Sequence, residues 1–273
     1  MPELPEVETI RRSIAPLVVG RRIERVDARR RDLRLPLPAA FEASLTGRRI
    51  ESADRRAKYL MLRLDDDKVW LVHLGMSGRF LRLTEDSGAA RALHEHVVVT
   101  LDDGARLVFR DPRRFGLMLV VDAGECELLA DIGPEPLDRA SFNADYIARQ
   151  KARTHRTVKD VFMDQRMVAG LGNIYVNEIL FAAGIRPTRR MNRVSRVECE
   201  SLARATHDIV QAAIDQGGSS ISDFLDANGQ PGSYQKGHRV YDRAKQPCPR
   251  CATPIRVCVV GQRSSFYCPS CQR

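Results

Sequence analysis

The chain has 273 residues, 43% apolar and 29% charged, with 44 Lys+Arg against 35 Asp+Glu for a net charge of +9. That size allows one large or two to three modest domains with a proper core, and no apolar run reaches membrane-spanning length or makes a secretory signal. The basic balance favours a polyanionic partner, most simply nucleic acid, because neutralising phosphates releases counterions, while one Trp and six Tyr exclude a broad stacking platform for single strands.

The chain opens Met1-Pro2-Glu3-Leu4-Pro5-Glu6. Leu4, Val7, Ile10, Ile14 and Leu17 recur at helical spacing and Gly20 follows as a stop, which predicts a first helix. A small second residue lets the initiator be trimmed, leaving Pro2 as a free secondary amine with a pKa of about 8. Such an amine is partly neutral at physiological pH and can form a Schiff base with an aldehyde-like carbon. Glu3 and Glu6 lie three apart, on neighbouring positions of one face. The same residues also fit a plain helix start, with Pro5 in the first turn and the glutamates complementing the dipole.

From Arg22 to about Asp122 the pattern shifts to short β-prone runs at Arg22–Val26, Tyr59–Leu64, Val69–Leu74, Arg79–Leu83, Val97–Leu101, Arg106–Phe109 and Leu117–Val121. Asp103-Gly104 marks a tight hairpin, and the spacing suggests an antiparallel sandwich or barrel with exposed stretches at 29–34 and 84–92. Gly133-Pro134-Glu135-Pro136 reads as a linker. Helices are expected at Phe142–Gln150, Thr157–Met163, Ile174–Ala183 and Val197–Gln216, with Gly184 as a helix-ending glycine. In Gly170-Leu171-Gly172-Asn173, Asn173 suits an N-cap, and the helix start behind it offers amides to a phosphate. A glycine- and serine-rich loop follows at 217–237.

Four of the seven cysteines form Cys248-Pro-Arg-Cys251, sixteen residues, then Cys268-Pro-Ser-Cys271. Two such pairs supply four thiolates for a tetrahedral zinc whose closed coordination makes it structural. The residues between read as a β-hairpin with Gly261-Gln262-Arg263 at its tip, and the scattered Cys126, Cys199 and Cys258 argue against a disulfide framework.

Together these segments resemble the bacterial formamidopyrimidine-DNA glycosylase family. The resemblance runs in order through Pro2-Glu3-Leu4-Pro5-Glu6, Arg56-Ala57-Lys58-Tyr59-Leu60, His73-Leu74-Gly75-Met76-Ser77-Gly78, Asp111-Pro112-Arg113-Arg114-Phe115-Gly116, Gly170 to Tyr175, and the four-cysteine finger containing Gln262-Arg263. It implies an α+β multidomain fold: an N-terminal β-sandwich with flanking helices over 1–132, a linker over 133–149, a helix-two-turns-helix domain with a lesion-capping loop over 150–237, and a zinc finger over 238–273. Double-stranded DNA would lie between lobes, bound by a cytoplasmic, nucleoid-associated monomer carrying one Zn2+.

By the same resemblance Pro2 attacks C1′ of a damaged nucleotide, Glu3 assists sugar-ring opening as acid/base, Glu6 supports it, and Lys58 and Arg263 complete the catalytic set. A carboxylate at a helix N-terminus favours its anion whereas a proton donor needs a raised pKa, so burial beside bound DNA must compensate. Met76, Arg113 and Phe115 match the trio that fills the void left by the extruded base. His73, His94 and Asn173 join them among the DNA-contacting residues, and backbone amides of the 217–237 loop would read the oxidised purine. Two departures stand out: Asn177 replaces a residue more often acidic or serine and is expected to carry little weight, and Arg153-Thr154-His155-Arg156 has fewer positive charges than is common. Two rival readings remain, an endonuclease VIII-like enzyme for oxidised pyrimidines and a lesion-binding protein without catalysis. Leu4 and the Met/Arg/Phe trio favour the purine branch.

Overall fold

The structure, a computed structural model, describes residues 2–84, 92–124, 126–152, 154–221 and 224–273. Most of the expected exposed loop at 84–92, two residues of the 217–237 loop and Arg153 fall outside them. The chain divides into two compact units, Met1–Ala130 with Gly217–Ser233, and Asp131–Gln216 with Tyr234–Arg273. None of the described helices is long and apolar enough to cross a membrane.

The first unit starts with helix α1, Leu4–Val18, and continues through β1 (Ile23–Ala28), α2 (Phe41–Leu45), β2 (Ile50–Arg56), β3 (Tyr59–Leu64) and β4 (Lys68–His73). It ends with β5 (Arg79–Leu83), β6 (Glu95–Leu101), β7 (Arg106–Arg110), β8 (Leu117–Asp122) and the short α3 (Glu127–Ala130). The strands make two antiparallel four-stranded sheets, ordered β1-β6-β7-β5 and β2-β3-β4-β8. Alternation along the strands turns one face of each sheet inward, and α1 adds Val7, Ile10, Ile14 and Val18 to the same core. Trp70 of β4 and Phe80 of β5 meet edge to face at 5.5 Å, one aromatic from each sheet. Burying each such side chain contributes roughly 1.5–3 kcal/mol. Leu101 and Ala105 pair across the expected Asp103-Gly104 turn, where Gly104 takes φ +78°.

Three elements escaped the sequence reading, β2, α2 and the one-turn α3. Ile50–Arg56 buries only Ile50 and Ala53 and is a strand because β3 pairs with it from Ile50 to Arg56. The resemblance assigns the loop 217–237 to the helical domain, whereas residues 217–233 pack with the first unit. Long-range bonds place them there: Ala227 N–H donates to Ser13 Oγ at 3.1 Å and Arg82 N–H to the Ala227 carbonyl at 2.9 Å.

The second unit comprises α4 (Ala144–Lys151), α5 (Val158–Met163), α6 (Asn173–Ala183), α7 (Arg196–Asp215) and the hairpin of β9 (Arg256–Val260) and β10 (Arg263–Tyr267). Ser195 and Glu198 close a capping box at α7, and Gly184 ends α6 in the left-handed conformation at φ +74°. Val260 pairs with Arg263 across Gly261-Gln262, whose φ angles of +54° and +60° make the two-residue turn that matches strand twist.

Candidate active site and nucleic-acid interface

Glu3 sits at the N-cap of α1 and Glu6 at N3, forming a capping box in which Glu6 Oε2 accepts the Glu3 N–H at 2.8 Å. Pro2, Glu3 and Glu6 are all buried. Glu6 also reaches the returning loop, its Oε1 accepting the Ser219 N–H at 2.7 Å. That approach requires glycine at 218, because φ there is +76° and a Cβ would stand 2.8 Å from Glu6 Oε1.

Lys58 is buried in the two-residue turn between β2 and β3, beside Ala57 at φ +51°. An L-residue in that region is held against its preference. The restraint comes from Arg55, whose Nη1 donates to the Ala57 carbonyl at 3.0 Å and whose Nε donates to Glu8 of α1 at 3.2 Å. Glu8 further accepts from Arg11 at 2.7 Å and Arg12 at 2.9 Å. Burial pushes the Glu8 carboxyl up, but the three guanidiniums prevail and hold it below the usual glutamate range. The helix that follows Pro2 and the turn carrying Lys58 are thus pinned to each other. Sequence reading passed over Glu8 and Arg55; the i+3 and i+4 arginines were visible, but the partner from β2 was not.

His73 closes β4 and is buried. Its ring lies 4.8 Å from that of Tyr59, its cross-strand partner. Burial first, then the charges of Lys58 and Arg34, lower its pKa to about 4. The neutral imidazole accepts the Gly75 N–H at Nδ1, 3.0 Å away, so His73 orders the following loop.

Met76 and Phe115 are large apolar side chains left 40% and 44% exposed, and the Arg113 guanidinium lies over the Phe115 ring at 4.8 Å. Three groups expected to enter a duplex therefore cluster at one exposed edge of the first unit. His94, also exposed, takes φ +65° beside β6.

In the second unit the turn before α6 is stapled by Gln165, whose Oε1 accepts the Gly170 N–H at 2.9 Å and whose Nε2 donates to the Leu171 carbonyl at 2.8 Å. The N-cap is Gly172, not Asn173. Asn173 is the first helical residue, and its amide nitrogen donates to the Ser264 carbonyl at 3.1 Å, which draws it away from a capping geometry. Buried Lys159 donates to the same Ser264 carbonyl at 2.9 Å and to Ser265 Oγ at 2.6 Å. Asn177, expected to matter little, accepts the Phe266 N–H at 2.8 Å. These contacts fasten the hairpin to α5 and α6 and leave Arg263 exposed beside the helix start. Arg156 is engaged with Asp164 at 2.8 Å.

The four cysteine Sγ atoms lie within 4.8 Å of one another. Separations of 3.4, 3.5 and 3.9 Å for Cys251–Cys271, Cys251–Cys268 and Cys248–Cys271 bracket the edge of about 3.8 Å expected for a tetrahedron with 2.3 Å Zn–S bonds. Arg250 and Cys271 N–H groups point at Cys248 and Cys268 sulfur at 3.4 and 3.5 Å. The thiolate set therefore fits one structural zinc ion. Glu178 supports the segment leading to it, accepting the N–H groups of Arg239, Val240 and Tyr241 at 2.8 to 2.9 Å.

Comparison with known proteins agrees with this layout. Residues 1–118 match the formamidopyrimidine-DNA glycosylase N-terminal domain, 132–225 the formamidopyrimidine-DNA glycosylase H2TH domain, and 245–273 the zinc finger found in FPG and IleRS. Formamidopyrimidine-DNA glycosylases of Thiobacillus denitrificans and Dinoroseobacter shibae are 48% and 46% identical, each covering 100% of both chains. Among solved structures, the MutM (FPG) protein of Thermus thermophilus superposes with a TM-score of 0.89 at 37% identity, covering 99% of this chain and 98% of that one. Lactococcus lactis Fpg in complex with abasic-site DNA gives 0.91 at 32% identity, covering 99% of both chains.

Proposed function

Starting from the fact that this chain belongs to the formamidopyrimidine-DNA glycosylase family, we propose that it excises oxidised purines, 8-oxoguanine and formamidopyrimidines, from duplex DNA and then cuts the abasic strand. That it is a DNA glycosylase of base-excision repair follows from the family itself. The observation that carries the finer reading is the start of α1, where Pro2 precedes a capping box whose Glu6 meets the returning loop at Ser219. Once Met1 is removed, the Pro2 nitrogen attacks C1′; the C1′–N bond to the base breaks as the C1′–N bond to proline forms, and the proton shed by the proline nitrogen passes to the departing base. Glu3 delivers a proton to O4′ as the sugar ring opens to an iminium. Loss of a C2′ proton then expels the 3′ phosphate, and a second elimination expels the 5′ phosphate. Lys58 balances the phosphate charge beside the reacting sugar, and Arg263 assists the late elimination. Met76, Arg113 and Phe115 fill the vacated stack while the loop at 217–237 covers the extruded base, and His94 and Asn173 contact the backbone. Zinc at Cys248, Cys251, Cys268 and Cys271 holds the hairpin that presents Arg263 and takes no part in bond making.

Borohydride trapping tests this reading. A covalent complex is expected on an 8-oxoguanine duplex, stronger than on an oxidised-pyrimidine duplex, and absent with Pro2→Gly although DNA is still bound. Equal trapping by Pro2→Gly would refute the nucleophile, and preferential trapping on the pyrimidine duplex would move the enzyme to the endonuclease VIII branch.

A further inference from the structure

We infer that Asp111 and Ser77 are positioning residues that set base selectivity by locking the loops of Met76, Arg113 and Phe115 into one register. The inference rests on the glycosylase reading above. Asp111 follows the end of β7 and is fully buried. Its Oδ1 accepts the Ser77 hydroxyl at 2.6 Å and the Arg113 N–H at 3.3 Å, and its Oδ2 accepts the Gly116 N–H at 2.7 Å. Ser77 Oγ in turn accepts the Arg113 N–H at 3.2 Å. The Asp111 carbonyl receives the Arg114 N–H at 3.2 Å and lies 2.7 Å from His96 Nε2, while its own N–H donates to the His94 carbonyl at 3.1 Å. One carboxylate therefore ties the residue after Met76 to the amides on either side of Phe115.

The loop backbones also touch. A Cβ on Gly75 would stand 2.3 Å from the Phe115 carbonyl carbon and 2.6 Å from Gly116 N, so neither loop shifts alone. The apex is exposed and its base is buried, an arrangement suited to holding a guanidinium at a fixed reading distance from an opposite base. A buried carboxylate is a costly way to fill space and is justified by the donors it satisfies. Asparagine cannot replace it, because its NH2 must face a donor at one side or the other.

The test compares Ser77→Ala and Asp111→Asn with the wild-type chain in single-turnover excision of 8-oxoguanine opposite cytosine and opposite adenine, alongside cleavage of a preformed abasic site. Each variant is expected to slow excision opposite cytosine roughly tenfold, the loss of one charge-assisted bond, and to narrow the cytosine-to-adenine preference, while abasic cleavage falls by less than about threefold. In an Arg113→Ala background the Ser77→Ala effect on the preference should vanish, as it must if Ser77 acts through Arg113. Ser77→Ala carries the decision if Asp111→Asn does not fold. An unchanged preference, or equal losses on base-bearing and abasic duplexes, would overturn the inference. A wild-type chain that neither excises nor traps would instead overturn the glycosylase reading on which it rests.

Discussion

Glu6 and Ser219 stand 213 residues apart in the chain and are joined by a 2.7 Å hydrogen bond from the serine amide to the glutamate carboxylate. The glutamate belongs to the helix start that presents Pro2, and the serine belongs to the loop assigned to cover the extruded base. In the proposed function, lesion capping and nucleophile placement would therefore share one side chain.

Gly218→Ala tests that link directly. The left-handed φ and the 2.8 Å clash with Glu6 Oε1 should destabilise the first unit by more than about 1 kcal/mol and slow excision roughly tenfold or more. Thermal unfolding and single-turnover rates measure the two effects; wild-type values in both would remove the loop from the proposed site.

Glu8→Gln should lower stability at pH 7 by roughly 1–3 kcal/mol. Arg55 and Arg11 dominate, since Arg12 is half exposed and its share is screened. The folded carboxyl lies below its ordinary value, so its contribution is present above about pH 4.3 and is lost as pH falls through the folded pKa. The variant's urea midpoint should depend less on pH in that acid range than the wild type's. Parallel curves would show that the guanidiniums give Glu8 no such preference.

His73 supplies a second pH signature of the same sign by a different route. Its pKa of about 4 lies below the unfolded value of about 6.5, so the unfolded chain binds the extra proton first and stability declines as pH drops from 6.5 toward 4. An NMR titration should find the His73 ring neutral at pH 5.5. A midpoint near 6.5 would contradict its burial beside Lys58.

Replacing Cys251 with serine should remove most bound zinc, measurable by elemental analysis, and weaken duplex binding while the first unit stays folded. The sulfur cage and the anchors at Lys159, Asn173 and Asn177 hold the same hairpin, so binding should fall without a loss of β-sheet signal. Unaltered binding in the zinc-free protein would free Arg263 from dependence on the metal.

Much of this architecture was legible locally. β3 and β5 coincide with their apolar runs, and the hairpin tip at Gly261-Gln262 was marked by its residues. What escaped was set by partners distant in sequence. β2 reads as a polar segment and becomes a strand by pairing with β3. Asn173 has capping chemistry, yet the Ser264 carbonyl claims its side chain. Glu8, Asp111 and Glu178 resemble solvated carboxylates until the arginines, hydroxyl and amides that surround them are brought in by the fold.

The first unit is sewn from two stretches of chain with residues 131–216 spooled out between them. A ribosome issues the polypeptide from its N-terminus, so α1 emerges early and waits for Ser219 until the helices of the second unit have been synthesised. A product truncated before residue 217 can gather most of its sandwich core yet lacks the strap that meets Glu6. The bond between Glu6 and Ser219 is thus made late in translation, and prematurely released fragments are left with a first unit that cannot close.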